Sequence, residues 1–203
     1  MPDAPSLSFR LDDGTPVVLR PVGPEDRERI RHGFEELSEA SRRYRFLAPL
    51  AHLSEAQLDY LTEVDQMNHV AWGAPGDEKE AHGLGVARFI RLPGEPDTAE
   101  FAVTVVDEAQ GHGLGTLLMA LLYVLAARRG VRTLRGVVAR DNTRMVEWLL
   151  RLGAHTVPGE DDLTMDLPVS DDPSALPDNP SAVRFRARLE EVQAALGAAG
   201  DRR

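Results

Sequence analysis

The sequence predicts one α/β domain followed by a helical tail, and three observations support this. The chain has 203 residues, the length of one domain with an appendage rather than of two full domains. Strand-like and helix-like apolar patterns alternate, and 42% apolar residues can form a core without crosslinks. A strand pattern also runs directly into a glycine-rich loop and an apolar helix. We expect a domain over 1–167, a linker rich in Pro, Asp and Ser over 168–180, and a tail over 181–203.

The first half of the chain predicts two strands, two or three helices and a hairpin. Ser54 and Gln57 have the spacing of a capping box, and Pro24 stands where a first helical turn favours proline. The expected elements are strands over 7–11 and 16–20, helices over 24–37, 38–46 and 54–64, and strands on both sides of the polar turn 75–80.

The second half predicts strands and helices in alternation. Gly130 can end the apolar helix in a left-handed conformation, and Asp141 or Asn142 can cap the next helix, which ends at Gly153. Strands are expected over 99–106, 133–139 and 162–168, and an amphipathic helix over 181–196 whose apolar stripe consists of Val183, Leu189, Val192 and Leu196.

Composition excludes several classes of function. The chain has 23 Lys and Arg against 33 Asp and Glu, so its net charge of −10 has the wrong sign for coating nucleic acid or anionic lipid. It has no cysteine, which excludes a thiolate nucleophile. The six histidines lack zinc-site spacing, so no metal is expected.

The N-terminus lacks a signal-peptide pattern, and the apolar run Leu117–Ala127 is shorter than the ~20 residues of a membrane span. We expect a cytoplasmic protein.

The segment QGHGLGT, residues 110–116, is the strongest functional motif. Glycines at alternate positions before a helix let backbone amides curl into an anion nest, and the helix N-terminus adds about half a positive charge. A turn that merely packs a strand against a helix is the alternative interpretation. A Rossmann loop fits poorly because Thr116 stands where the third glycine is needed, and a Walker loop is excluded because no lysine is near.

The run from Glu100 to Ala154 resembles the acyl-CoA core of the GNAT N-acetyltransferases. The family signature Gln/Arg-x-x-Gly-x-Gly/Ala corresponds to residues 110–115, and a second family pattern on the following helix is matched by Asn142, Met145, Trp148, Leu152 and Gly153. Residues 37–154 more specifically resemble the acetyltransferase domain of bacterial Pat-type protein lysine acetyltransferases. The resemblance implies a mixed, mostly antiparallel sheet with splayed central strands flanked by helices.

The resemblance also implies how acetyl-CoA would bind. Strand residues Val103 and Val105 would pair with the pantetheine arm, and Asn142 would touch the cofactor or an ordered water. The diphosphate would be held by Gln110, Gly111, His112, Gly113, Leu114, Gly115 and Thr116.

Amine acetylation requires a neutral amine, and a lysine with pKa near 10.4 must lose a proton at pH 7. Glu100 lies in an otherwise apolar strand, at the spacing of the Pat-like base, so it is the candidate base. A solvated, inert strand-end glutamate is the alternative. The tyrosine acid of many relatives is replaced by Leu149, so the thiolate would leave unassisted, while Tyr123 is expected in the core. The amide of Val103 is the expected oxyanion donor.

Other charged groups carry weaker predictions. Arg42, Arg43 and Arg45 are expected on a solvated helix face, with contact to the CoA 3′-phosphate or an acidic partner as the alternative. Asp65 and the acidic run 77–80 could attract a cationic substrate.

The predicted function is acetyl transfer from acetyl-CoA to a primary amine, with a protein lysine as first choice. A small-molecule amine is the rival acceptor. A non-catalytic acyl-CoA sensor whose tail helix meets a partner is the rival from another class. Whether the chain forms a homodimer stays open.

Overall fold

The computed structural model describes residues 6–76, 82–158 and 162–200. The helices are α1 (Arg27–Glu35), α2 (Glu39–Phe46), α3 (Glu55–Thr62), α4 (Leu114–Arg128), α5 (Thr143–Arg151) and α6 (Pro180–Gly200). The strands are β1 (Leu7–Arg10), β2 (Pro16–Pro21), β3 (His69–Ala74), β4 (Gly85–Leu92), β5 (Glu95–Val105), β6 (Thr133–Val138), β7 (His155–Val157) and β8 (Leu163–Pro168). No helix within these ranges is both long and apolar enough to span a bilayer.

The strands of the described chain form one sheet in the order β1-β2-β3-β4-β5-β6-β8-β7. Neighbouring strands run antiparallel except β5 and β6, which run parallel. The predicted mixed, mostly antiparallel sheet flanked by helices is therefore confirmed.

The two faces of the sheet are covered by different helices. Odd-numbered side chains of β4 and β5, such as Phe89 and Phe101, belong to the core cluster that contains α4. Even-numbered side chains, such as Arg88 and Thr104, face the layer of α1, α2 and α3. Helix α4 is buried on all sides, which explains why its sequence is apolar nearly throughout.

Helix α6 packs against the outer side of α4, so the segment predicted as a tail shares the main core. The ring of Phe185 is fully buried and stands edge-on to both Tyr123 and Trp148, with centroids 5.7 and 5.9 Å away. Val183, predicted in the apolar stripe, is 47% exposed instead. The buried stripe has the 3-4-3 spacing of one helix face and consists of Ala182, Phe185, Leu189 and Val192. The boundaries proposed at 167 and 180 stay predictions.

Local sequence signals predicted most of the other helices and strands correctly. The Ser54 and Gln57 side chains form the predicted capping box, and the side chain of Asn142 caps α5 by accepting from the Met145 amide at 3.3 Å. Helix α1 ends at Glu35 rather than Leu37, because Ser38 caps α2 immediately afterwards. The short strand β7 was not predicted, since its three residues have no distinctive apolar pattern.

Candidate active site

Strands β5 and β6 separate after a short paired stretch. They are paired only from Thr98–Thr133 to Glu100–Arg135, and their remaining residues have no ladder partner across this boundary in the described chain. Because the strands are parallel, the gap opens toward their carboxyl ends, where the glycine loop and α4 follow β5. This gap between β5 and β6 is called the splay below. Glu100 lies at its closed end, the base, and the glycine loop lies at its open end, the mouth.

The edge of β5 that faces this gap carries backbone groups for an extended ligand. The amide of Val106 donates to Leu84 on the β4 side, while the carbonyl of Asp97 accepts from Arg132 on the β6 side. Since successive residues direct their backbone groups to opposite edges, the amides and carbonyls of Val103 and Val105 face the gap. The Val105 carbonyl accepts from the side-chain amide of Gln110 at 3.1 Å.

The glycine loop has the left-handed turns that a backbone nest requires. Gly111 and Gly113 have φ angles of +85° and +91°, and α4 begins directly after Gly113. The amides of Leu114, Gly115 and Thr116 belong to the first turn of α4, where an amide has no intrahelical acceptor. The helix dipole adds positive potential at the same point. The loop can therefore hold a diphosphate although the chain as a whole is acidic.

The β1–β2 turn supports this loop from outside. The amide of Asp12 donates to the His112 carbonyl at 3.0 Å, and the Nδ1 atom of His112 lies 3.0 Å from a carboxylate oxygen of Asp13. Arg188 of α6 donates to the Asp12 carboxylate at 2.6 Å. The ring of His112 is thus engaged by the turn, and α6 braces the loop through Asp12.

Glu100 is exposed and lies on the face of the sheet opposite α4. Its neighbours across the sheet are Ile90 on β4 and Arg135 on β6. The guanidinium of Arg135 is held by Asp166 of β8, with bonds of 2.8 and 2.9 Å. The Glu100 carboxylate therefore lies at the base of the splay, on the side of the sheet that carries α1, α2 and α3.

The three arginines of α2 have three different environments, so the expected solvated face is wrong for two of them. Arg42 stacks on Phe34 and donates to backbone carbonyls, which anchors the end of α1. Arg43 is partly exposed and forms an ion pair with Asp141 across the splay. Arg45 points into a cavity beneath the helices, and burial lowers the pKa of its guanidinium, although the charge of Glu100 opposes this shift.

Other predicted residues lie as follows. Leu149 is buried, and Tyr123 is in the core as expected, where its hydroxyl accepts from the Ser170 amide at 2.9 Å. Asp65 accepts from three backbone amides, each at 2.8 Å, so this carboxylate organises a turn rather than a substrate site. The acidic run 77–80 lies outside the described residues. Within the described ranges, no group of three or more His, Cys, Asp or Glu could hold a metal ion.

Sequence reasoning missed Arg88 and Tyr60. Arg88 is only 3% exposed although it is charged, and an arginine in the alternating strand GVARFIRL gives no sign of such burial. Tyr60 on α3 is exposed and stacks near His69, with ring centroids 5.3 Å apart. Both lie on the side of the sheet that Glu100 faces.

A sheet with one splayed parallel pair, and a glycine nest at the helix N-terminus by its mouth, define the class of acyl-CoA-dependent transferases. Comparison with known proteins identifies the family within this class. The family model described as "Acetyltransferase (GNAT) domain" matches residues 17–155. The chain therefore belongs to the GNAT family, and it is an acetyltransferase of the kind that uses acetyl-CoA.

Individual relatives agree with this assignment. Acetyltransferase PA5475 of Pseudomonas aeruginosa is 37% identical over 144 residues, which cover 70% of this chain and 77% of that protein. Acetyltransferase Pat of Mycolicibacterium smegmatis is 36% identical over 152 residues, covering 73% of this chain but only 44% of the relative. The solved GNAT domain of S. lividans PAT has a TM-score of 0.74 at 24% identity, and the match covers 81% of this chain and 97% of that one.

Proposed function

We propose that the protein transfers the acetyl group of acetyl-CoA to a primary amine, with Glu100 as general base. The observation that carries this proposal is the position of Glu100 at the last paired residue before the splay. A thioester lying in the gap along β5 would then have its carbonyl carbon near the carboxylate, which takes the proton that the attacking amine must lose.

The reaction balances without a further reactant. The amine nitrogen forms a bond to the thioester carbon, its proton goes to Glu100, and the carbon–sulfur bond breaks to release the thiolate of CoA. A thiol has a pKa near 8.5, so the thiolate can leave without an acid and later take a proton from water. Leu149 is therefore compatible with turnover. The amide of Val103, which faces the gap, is the proposed donor to the oxyanion.

The cofactor residues proposed are those whose backbone groups face the gap. The carbonyl of Val103 and the amide of Val105 can pair with the pantetheine arm as a neighbouring strand would. The nest over residues 110–116 binds the diphosphate, with the first-turn amides of α4 as donors. Asn142 uses its side-chain oxygen to cap α5, so we propose that it approaches the cofactor through its amide nitrogen or through water.

A protein lysine is the first candidate acceptor, supported by the likeness to acetyltransferases named Pat. The exposure of Glu100 is consistent with a long side chain reaching it from another protein. A small amine is the second candidate, favoured by the cavity beneath α1, α2 and α3 on the face of the sheet that carries Glu100. The third alternative is a non-catalytic acyl-CoA sensor. Detection of acetylated product by mass spectrometry, from either class of acceptor, would rule it out.

The test is Glu100→Gln, which keeps the shape of the side chain and removes the base. We expect turnover to fall by roughly 10² or more, with acetyl-CoA affinity by calorimetry unchanged. The matched control is Glu95→Gln, on the same strand and also exposed, where turnover should stay close to wild type. Unchanged turnover in Glu100→Gln would remove this residue from the mechanism.

A further inference from the structure

A cavity of about 90 Å³ lies between the sheet and the layer of α1, α2 and α3. One water needs roughly 10–15 Å³ on this scale, so the cavity has room for several waters or a small organic group. Its walls are mostly apolar and include Ile30, Phe34, Leu37, Phe46, Leu53 and Val106. The exceptions are four arginines and one aspartate, which makes the interior strongly cationic.

Two of these arginines have no carboxylate partner. Arg88 is 3% exposed, and its terminal nitrogens contact the Leu61 carbonyl and the Nε2 atom of His69, each at 3.1 Å. Its Nε atom and the Oγ1 atom of Thr104, which also lines the cavity, are buried without a hydrogen-bond partner among the described residues. Arg45 forms no ion pair within the described chain. Arg45 is partly buried and stacks over the Phe46 ring, whereas Arg88 is fully buried, and because a buried charge is normally paired the Arg88 guanidinium with Arg45 beside it is a candidate anion site.

The cavity's own carboxylate is already used. Asp26 accepts two bonds from Arg20, at 2.7 and 2.5 Å, and a third from the Gly23 amide at 3.1 Å. Arg29 lies 3.5 Å from the same carboxylate. Asp26 is therefore occupied by Arg20 and does not pair with Arg45 or Arg88.

The unpaired arginines lie next to Glu100. Arg88 stands directly across from Ala102, so it is the diagonal neighbour of Glu100 on the same face, at roughly 7–8 Å between β-carbons. Arg45 is close enough to both to feel the charge of Glu100 and to lower the pKa of Arg88, which burial and Arg45 together bring to about 9. Glu100 itself does not line the cavity, so the base and the two guanidinium groups occupy neighbouring positions on the same face of the sheet.

We propose that Arg45 and Arg88 bind the carboxylate of the acceptor, and that this acceptor is a small α-amino acid with an apolar side chain. The inference rests on the proposed function and refines its second candidate acceptor. Glu100 and Arg88 are diagonal neighbours on one face of the sheet, and an α-amino acid carries its amine and carboxylate on the same carbon, so one molecule can present its amine to Glu100 and its carboxylate to the arginines. The side chain would occupy the apolar part of the cavity, against Phe34 and Phe46.

The experiment compares leucine with leucinamide, which has the same amine and side chain but no carboxylate. Acetylation by the full chain is followed as CoA release. A bidentate charged contact predicts that kcat/KM for leucine exceeds that for leucinamide by about 10-fold or more. Arg45→Met should abolish this preference. Arg45→Lys, which keeps the charge but not the fork of donors, should retain part of it.

Arg31→Met is the matched control, because Arg31 lies on the same helical layer but pairs with Glu28 and Glu55 outside the cavity. It should keep the full preference for leucine, and circular dichroism would check that each variant is folded. Equal kcat/KM for leucine and leucinamide in the wild type, or an unchanged preference in Arg45→Met, would overturn the proposal.

A binding measurement separates this inference from the proposed function. Millimolar leucine should raise the melting temperature of the wild type but not of Arg45→Met, whether or not acetylation is detected. If a lysine peptide is acetylated while leucine neither binds nor reacts, the anion site is refuted and the proposed function stands. If leucine stabilises the wild type but no amine is acetylated, the proposed function fails and the anion site stands.

Discussion

Gly113→Ala tests whether the glycine loop is held in place by the β1–β2 turn. Gly113 has a φ of +91°, where an alanine costs about 1–2 kcal/mol. A β-carbon there would also lie 2.6 Å from a carboxylate oxygen of Asp12. That carboxylate is held by Arg188, so it must give up part of an exposed ion pair, at a cost of up to about 1 kcal/mol. The total is about 1–3 kcal/mol.

Gly111→Ala separates the backbone strain of a positive φ angle from the steric clash with Asp12. Gly111 has a similar φ of +85°, but a β-carbon there would meet nothing within 4 Å, so only the strain of about 1–2 kcal/mol is expected. Urea unfolding without ligand would measure both variants. The double variant Asp12→Ala/Gly113→Ala should lose about 1 kcal/mol less free energy of unfolding than the sum of the two single variants, because the clash is absent. If Gly113→Ala is no more destabilising than Gly111→Ala, the proposed contact between turn and loop is incorrect.

Two further predictions concern stability. Phe185→Ala should lower the free energy of unfolding by about 3–5 kcal/mol in thermal or urea denaturation, because the buried ring joins α6 to α4 and α5; a loss below about 1 kcal/mol would mean that α6 docks weakly. Burial and the charge of Arg88 lower the pKa of His69 to about 4, so stability should fall as pH decreases from about 6.5 to about 4, where only the unfolded chain binds the proton. His69→Gln should flatten that part of the pH profile, and an unchanged profile would contradict the assignment.

The parts of the site that are local in sequence could be predicted from it. The glycine loop, the cap at Asn142 and the position of Glu100 in its strand all depend on residues within a few positions of one another. The splay between β5 and β6 could not be predicted from these patterns alone, because it depends on where pairing stops between segments more than thirty residues apart. It entered the predictions only through resemblance to a family.

The anion pocket was missed for a different reason. In sequence, Arg45 belongs to a cluster of basic residues that is typical of a solvated helix, and Arg88 alternates with apolar residues as an outward-facing strand residue does. Only the packing of α2 against the sheet brings both side chains to one cavity. The role of α6 was hidden similarly, because the segment before it has the composition of a linker, whereas packing against α4 is a tertiary property.

The net charge of −10 is a poor guide to what this fold can bind, because its strongest positive potentials are internal. One comes from the first-turn amides of α4, which carry no formal charge and so do not enter the count. The other comes from Arg45 and Arg88, whose charges act across a mostly apolar cavity where water screens them little.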